Sequence, residues 1–200
     1  MKGFNSVASY QQLYYILGHP KFVQRQMAKE LDIKHGGKIQ TFVKWLEDLK
    51  LVVRTYETKK GKATYEVPSR DALLTFYSRF RNMKNEQMER TYQIGIDRKE
   101  TIQFLSDNGG IMCLTTALQF YDNYFRDPTI HVYVKDPILL AKVHSQVEGK
   151  IKVVLYNFEL PDESKIVEGV NVTSPIRTII DLYCNNMSYA AEQFIKKVWT

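Results

Sequence analysis

Residues 35–52, HGGKIQTFVKWLEDLKLV, carry apolar side chains at Ile39, Phe42, Val43, Leu46 and Leu49. The spacing i, i+3, i+4, i+7, i+10 is one face of an α-helix. The opposite face opens with Gly37, Gln40, Thr41 and Lys44. These are small, amide, hydroxyl and cationic side chains. A helix that buries one stripe and presents such a row is built to meet something outside its own core.

The neighbouring residues give that helix a setting. Tyr10 to Leu17 reads as a first helix, stopped by Gly18-His19-Pro20, because proline cannot continue the hydrogen-bond ladder. Phe22 to Leu31 reads as a second helix, with Lys34-His35-Gly36-Gly37 as a turn before the third. Leu51 to Thr58 and Lys62 to Val67 are β-rich runs, and Lys59-Lys60-Gly61 between them is a hairpin tip. Pro68-Ser69 opens a fourth helix, with Ser69 as its N-cap. The order helix, helix, turn, helix, hairpin is that of a winged helix-turn-helix. Met27-Ala28-x-x-Leu31-x-Ile33 resembles the short helix-turn-helix signature of prokaryotic regulators. Leu46-Glu47-x-Leu49-x-Leu51-Val52 resembles the end of a recognition helix running into a wing. Lys50 departs from that pattern, which often has glycine there. It calls for a wider turn or an unusual backbone conformation.

Charge points the same way. The chain of 200 residues has a net charge of +6. Residues 1–87 hold 16 Lys and Arg against 8 Asp and Glu, whereas residues 88–200 hold 12 against 14. A basic front half suits a polyanionic partner, although a solvated basic surface would have the same composition. A duplex major groove accepts one α-helix, read mainly through its first turns. There Gln40 can pair with adenine, Thr41 can touch the thymine methyl and Lys44 can reach guanine. Lys34, His35 and Lys38 sit around the helix start and suit phosphates. So do Arg25 on the second helix and Lys59, Lys60 and Lys62 on the wing. With Gly37, these residues are the expected DNA-binding set. A protein–protein role for the same module remains the alternative.

Residues 83–90 are polar and read as a linker between a domain at 1–82 and another at 91–200. In the second part, strands are expected at 91–96, 129–134, 150–158 and 166–172. Helices are expected from Asp97 to about Ser106, over 111–124 and 137–146, and near 175–185 and 188–198. The fold class is therefore α+β, an N-terminal winged helix-turn-helix followed by a mixed α/β domain.

No catalytic set stands out. The four histidines lack metal-ligand spacing, and neither G-x-S-x-G nor a P-loop occurs. Asp136 with Glu148-Gly149-Lys150 imitates the D…E-x-K of metal-dependent nucleases, but Glu148-Gly149 reads as a turn. The expectation is no enzyme, no cofactor and no metal. Cys113 and Cys184 lack a C-x-x-C pattern, which argues against a disulfide framework. With no run of about 18 apolar residues and no signal-peptide pattern in MKGFNSVASY, the expectation is a soluble, cytoplasmic protein away from membranes.

The most distinctive stretch is Thr173-Ser174-Pro175-Ile176-Arg177-Thr178-Ile179-Ile180-Asp181-Leu182. Ser174 can cap a helix, Pro175 suits its first turn, and Arg177 and Asp181 can pair at i, i+4. These residues resemble the TSPxRTxxDL-type segment of AbiEi-type antitoxins from type IV toxin–antitoxin systems. Thr115-Thr116-Ala117-Leu118 resembles the helix that precedes it in that family. The resemblance implies a transcriptional regulator that represses its own operon through a double-stranded DNA operator. It also implies a nucleotidyltransferase-like toxin as operon partner, neutralised without direct contact. A homodimer is expected because helix-turn-helix proteins commonly read paired half-sites, and the Phe76–Phe80 helix offers an apolar face. The alternative is a stand-alone ligand-responsive regulator with a C-terminal sensor domain.

Overall fold

The computed structural model describes residues 6–33, 36–56, 63–122, 124–146, 149–158 and 163–199. The chain is α+β and divides at Phe80/Arg81 into two compact units. Among the described residues, no helix is long and apolar enough to cross a membrane.

The first unit begins with α1 (Val7–Gly18), whose N-cap Ser6 accepts from the Ser9 amide. Then come β1 (Lys21–Phe22), α2 (Gln24–Glu30) and α3 (Gly36–Asp48). The hairpin pair β2 (Val53–Tyr56) and β3 (Ala63–Glu66) follows, and α4 (Arg70–Tyr77) closes the unit. Ser69 caps α4 through the Ala72 amide, as its sequence position implied. Leu13, Ile16, Met27, Ile39, Val43 and Leu46 are sealed from solvent. The stripe read from the sequence is therefore core, except Leu49. That residue lies past the end of α3 and is 42% exposed.

The second expected helix, 22–31, begins later than its pattern suggested. Phe22 belongs to β1, which pairs antiparallel with β3, so the sheet order is β1-β3-β2. Two residues of strand are too few to show an alternating pattern. α2 and α3 both end in a left-handed residue that is not glycine. After α2, Asp32 has φ 49° and the Ile33 amide reaches back to Ala28 O. After α3, Lys50 has φ 59°, its amide donates to Glu47 O, and Leu51 donates to Leu46 O. These are Schellman closures, and Lys50 holds the conformation that glycine would adopt without strain.

In the second unit, the expected linker at 83–90 is folded structure instead. A 3-10 turn, Met83–Asn85, leads into β4 (Gln87–Ile94). Its polar residues misled because β4 is an edge strand, exposed at Gln87, Glu89, Arg90, Thr91 and Gln93. Next come α5 (Arg98–Asp107), β5 (Gly110–Met112), α6 (Leu114–Leu118), β6 (Ile130–Val134) and α7 (Pro137–His144). β7 (Ile151–Asn157), β8 (Ser164–Val167), β9 (Val170–Thr173), α8 (Pro175–Cys184) and α9 (Ser188–Val198) complete the chain. The single helix expected over 111–124 is thus a strand and a short helix. A run buried on every side gives periodicity nothing to register. The strand expected over 166–172 is a hairpin whose two-residue turn, Glu168 and Gly169, has φ 51° and 80°. Those angles suit a type I′ turn.

The sheet order is β4-β7-β6-β5-β9-β8, with parallel pairs β6–β7 and β5–β9 among antiparallel neighbours. On one face, Val132, Val134, Val153, Leu155 and Val172 pack with Ile102 and Leu105 of α5 and Leu139 and Val143 of α7. On the other face, Tyr133 meets Arg177 of α8.

Candidate nucleic-acid interface

The amphipathic pattern of α3 sorts its side chains. Ile39, Phe42, Val43 and Leu46 point inward. Gly37, Lys38, Gln40, Thr41 and Lys44 are all exposed. Gly37, Gln40, Thr41 and Lys44 follow i, i+3, i+4, i+7 and so share one helical face. Thr41 Oγ1 donates to Gly37 O at 2.9 Å. The first turn carries no acidic side chain, so the partial positive charge of the helix start is not countered there. Arg25 is exposed on α2, which packs against α3. Lys34, His35, Lys59, Lys60 and Lys62, expected at the turn and the wing tip, lie outside the described residues.

The reading of the sequence passed over Arg54 and Tyr56. All four residues of β2 are exposed. The Arg54 guanidinium lies 4.9 Å from the Tyr56 ring centroid and 5.9 Å from that of Tyr65, which is cation–π range. The signal available was Val-Arg-Thr-Tyr, a cation two residues before an aromatic on a strand, where both side chains share one face. The apolar face expected around Phe76 and Phe80 is an aromatic cluster. Trp45 of α3 meets Phe76 at 5.1 Å and Phe80 at 6.1 Å, and all three rings are half-buried.

In the second unit, the distinctive segment is buried. Ser174 Oγ accepts from the Arg177 amide at 3.3 Å, and Pro175 opens α8. Arg177 Nε donates to both oxygens of Asp181, at 3.0 and 3.1 Å. Arg81 reaches the same carboxylate and holds Glu86 in a two-point pair at 2.7 and 2.8 Å. Tyr133 Oη accepts from both guanidinium groups, at 2.8 and 2.9 Å. Burial works against the Arg81 charge, but Tyr133, Asp181 and Glu86 outweigh it and raise its pKa well above the usual value. Thr116 Oγ1 accepts from the His131 amide, and Thr115 Oγ1 donates to Asp127. The Thr115–Leu118 segment is wholly buried.

This network binds α8 and the residues before β4 to the sheet at Tyr133. Both cysteines are buried free thiols, and burial pushes Cys184 up to about 12. Among the described residues, no three His, Cys, Asp or Glu side chains gather as a metal site requires. Asp136 caps α7 through the Ile138 amide. Gly149 lies against the Gly95 backbone so closely that a Cβ has no room. Glu148 lies outside the described residues. A cavity of about 430 Å³ beside β8 is lined by Ser106, Asp107, Ser164, Lys165, Ile166, Gly169 and Asn171.

Compared with known families, with curated proteins and with solved structures, the chain matches none of them.

Proposed function

We propose that the first unit is a winged helix-turn-helix that binds duplex DNA in a sequence-specific way, with α3 in the major groove and the β2–β3 ribbon as its wing. The chain then acts as a transcriptional regulator rather than an enzyme. The observation that carries this reading is α3 itself: one face is sealed in the core, while Gly37, Lys38, Gln40, Thr41 and Lys44 all remain exposed. The exposed row combines the Lys44 cation and the Gln40 amide, groups that read base edges, with Thr41, whose hydroxyl donates to Gly37 O.

The resemblance of Thr173–Leu182 to AbiEi-type antitoxins refines the reading. The chain would repress its own operon, commonly as a homodimer on paired half-sites, and counter a nucleotidyltransferase-like toxin without touching it. The buried Arg177 and Asp181 fit a role in folding, which a shared segment can have without performing chemistry. A ligand-responsive regulator would need a sensor pocket: the cavity beside β8 has Ile166 as its large apolar lining residue, and a smaller one of about 180 Å³ is lined by Ile94, Ile96 and Phe104.

The test is selection of bound sequences from a random duplex pool with the full chain. One motif should be enriched, and Lys44→Ala should weaken it by about 1–3 kcal/mol. A pool that stays random sinks the reading. For the antitoxin refinement, the adjacent gene should arrest growth alone and be tolerated beside this chain.

A further inference from the structure

Arg54 and Tyr65 stand opposite each other across β2 and β3, so their side chains share one face of the ribbon, and Tyr56 lies on it too. At its inner end that face is core: Tyr65 stacks on Phe22 at 5.6 Å, and both rings are buried. At its outer end it emerges, with Arg54 exposed and Tyr56 57% exposed. The Arg54 guanidinium lies over the Tyr56 ring at 4.9 Å and the Tyr65 ring at 5.9 Å. Yet among the described residues it has no hydrogen-bond acceptor and no carboxylate within ion-pair distance. Two rings thus hold a cation whose five N–H donors are uncommitted. Burial pushes the Tyr65 phenol up and Arg54 pulls it back, while the Glu47 carboxylate of α3 adds to the rise. Arg54 and Glu47 therefore act on the same phenol, and Glu47 neighbours Lys44 at i, i+3. This face of the ribbon adjoins the exposed row of α3.

We propose that Arg54 is a phosphate clamp, which grips one backbone phosphate of the duplex in a two-point contact and fixes the register of α3 in the groove. This rests on the duplex-binding reading above. It gives a strand of the ribbon a contact that the sequence suggested only for the lysines of its tip. Arginine meets two phosphate oxygens at once, whereas lysine is a point charge. A side chain already held by two rings loses little freedom when it binds.

The experiment uses the full chain and the duplex enriched from a random pool, with each backbone phosphate near the motif replaced in turn by an uncharged methylphosphonate. At one position the replacement should weaken wild type about tenfold and leave Arg54→Ala unaffected. Arg54→Ala should weaken enriched and random duplexes alike and reduce the salt slope by about one. Arg54→Lys should keep the slope and still bind more weakly than wild type. Tyr56→Leu should do the same, by about threefold. Arg54 and Tyr56 are exposed, so all three variants should melt like wild type. If no sequence is enriched, the duplex reading and the clamp fall together. If a sequence is enriched but Arg54→Ala binds like wild type, or weakens the enriched duplex alone, the clamp is wrong and the reading stands. The same holds if Arg54→Lys binds like wild type, or if no methylphosphonate position distinguishes Arg54→Ala from wild type.

Discussion

Arg81 donates to Asp181 at 2.6 Å across 100 residues of sequence, with both side chains almost wholly removed from water. Arg177 reaches the same carboxylate from one turn away, so Asp181 compensates two buried cations. Removing its charge leaves each guanidinium with one carboxylate instead of two, Glu86 for Arg81 and Glu163, at 3.7 Å, for Arg177. Asp181→Asn should destabilise the second unit by about 3–5 kcal/mol. Arg81→Met should cost less, because Asp181 keeps Arg177. Hydrogen exchange should show lost protection in β6, β7 and β9 while α1 and α3 keep theirs. Equal protection in Asp181→Asn and wild type would refute this.

Asp127 carries a pH dependence. Burial pushes its carboxyl up. Hydrogen bonds from His131, Thr115 and the Thr129 amide, with the charge of His131, overcome this and hold it well below the usual carboxylate range. The folded pKa is therefore below the unfolded one. The stabilisation is complete above about pH 5, and is lost progressively as pH falls below about 4 toward the folded pKa. Asp127→Asn should be less stable than wild type at neutral pH. Its urea midpoint should fall less than wild type's between pH 5 and 3. Parallel declines would show that Asp127 is not the group responsible.

Lys50 pays a conformational penalty at the close of α3, where φ is 59°. Its backbone bonds to Glu47 require the left-handed conformation, and its side chain is exposed. Lys50→Gly should stabilise the chain by about 0.5–1 kcal/mol, and Lys50→Val should destabilise it by about 1–2. Thermal unfolding reads both, and a destabilised Lys50→Gly would contradict the assignment.

Salt dependence distinguishes phosphate contacts from base contacts at α3. Under the duplex reading, log affinity falls linearly with log salt. Lys38→Ala should weaken enriched and random duplexes alike and reduce the slope by about one. Lys44→Ala should weaken mainly the enriched duplex. Fluorescence anisotropy across a salt series separates the two, and an unchanged slope for Lys38→Ala would remove it from the backbone contacts.

The sequence by itself determined the local devices. The stripe from Ile39 to Leu46, the caps at Ser69 and Ser174, the stop at Pro20 and the Arg177–Asp181 pair are each written within about two helical turns of sequence. Helix geometry and capping chemistry act over that distance. The tertiary structure alone decided what depends on distant partners. It drew β1 into a sheet with β3, set β5 beside β9, turned a polar stretch at 83–90 into a 3-10 turn and the start of an edge strand, and brought Arg81 to Asp181. A buried arginine reads in sequence like a surface one, because its counter-ion is defined only after the chain between them has folded.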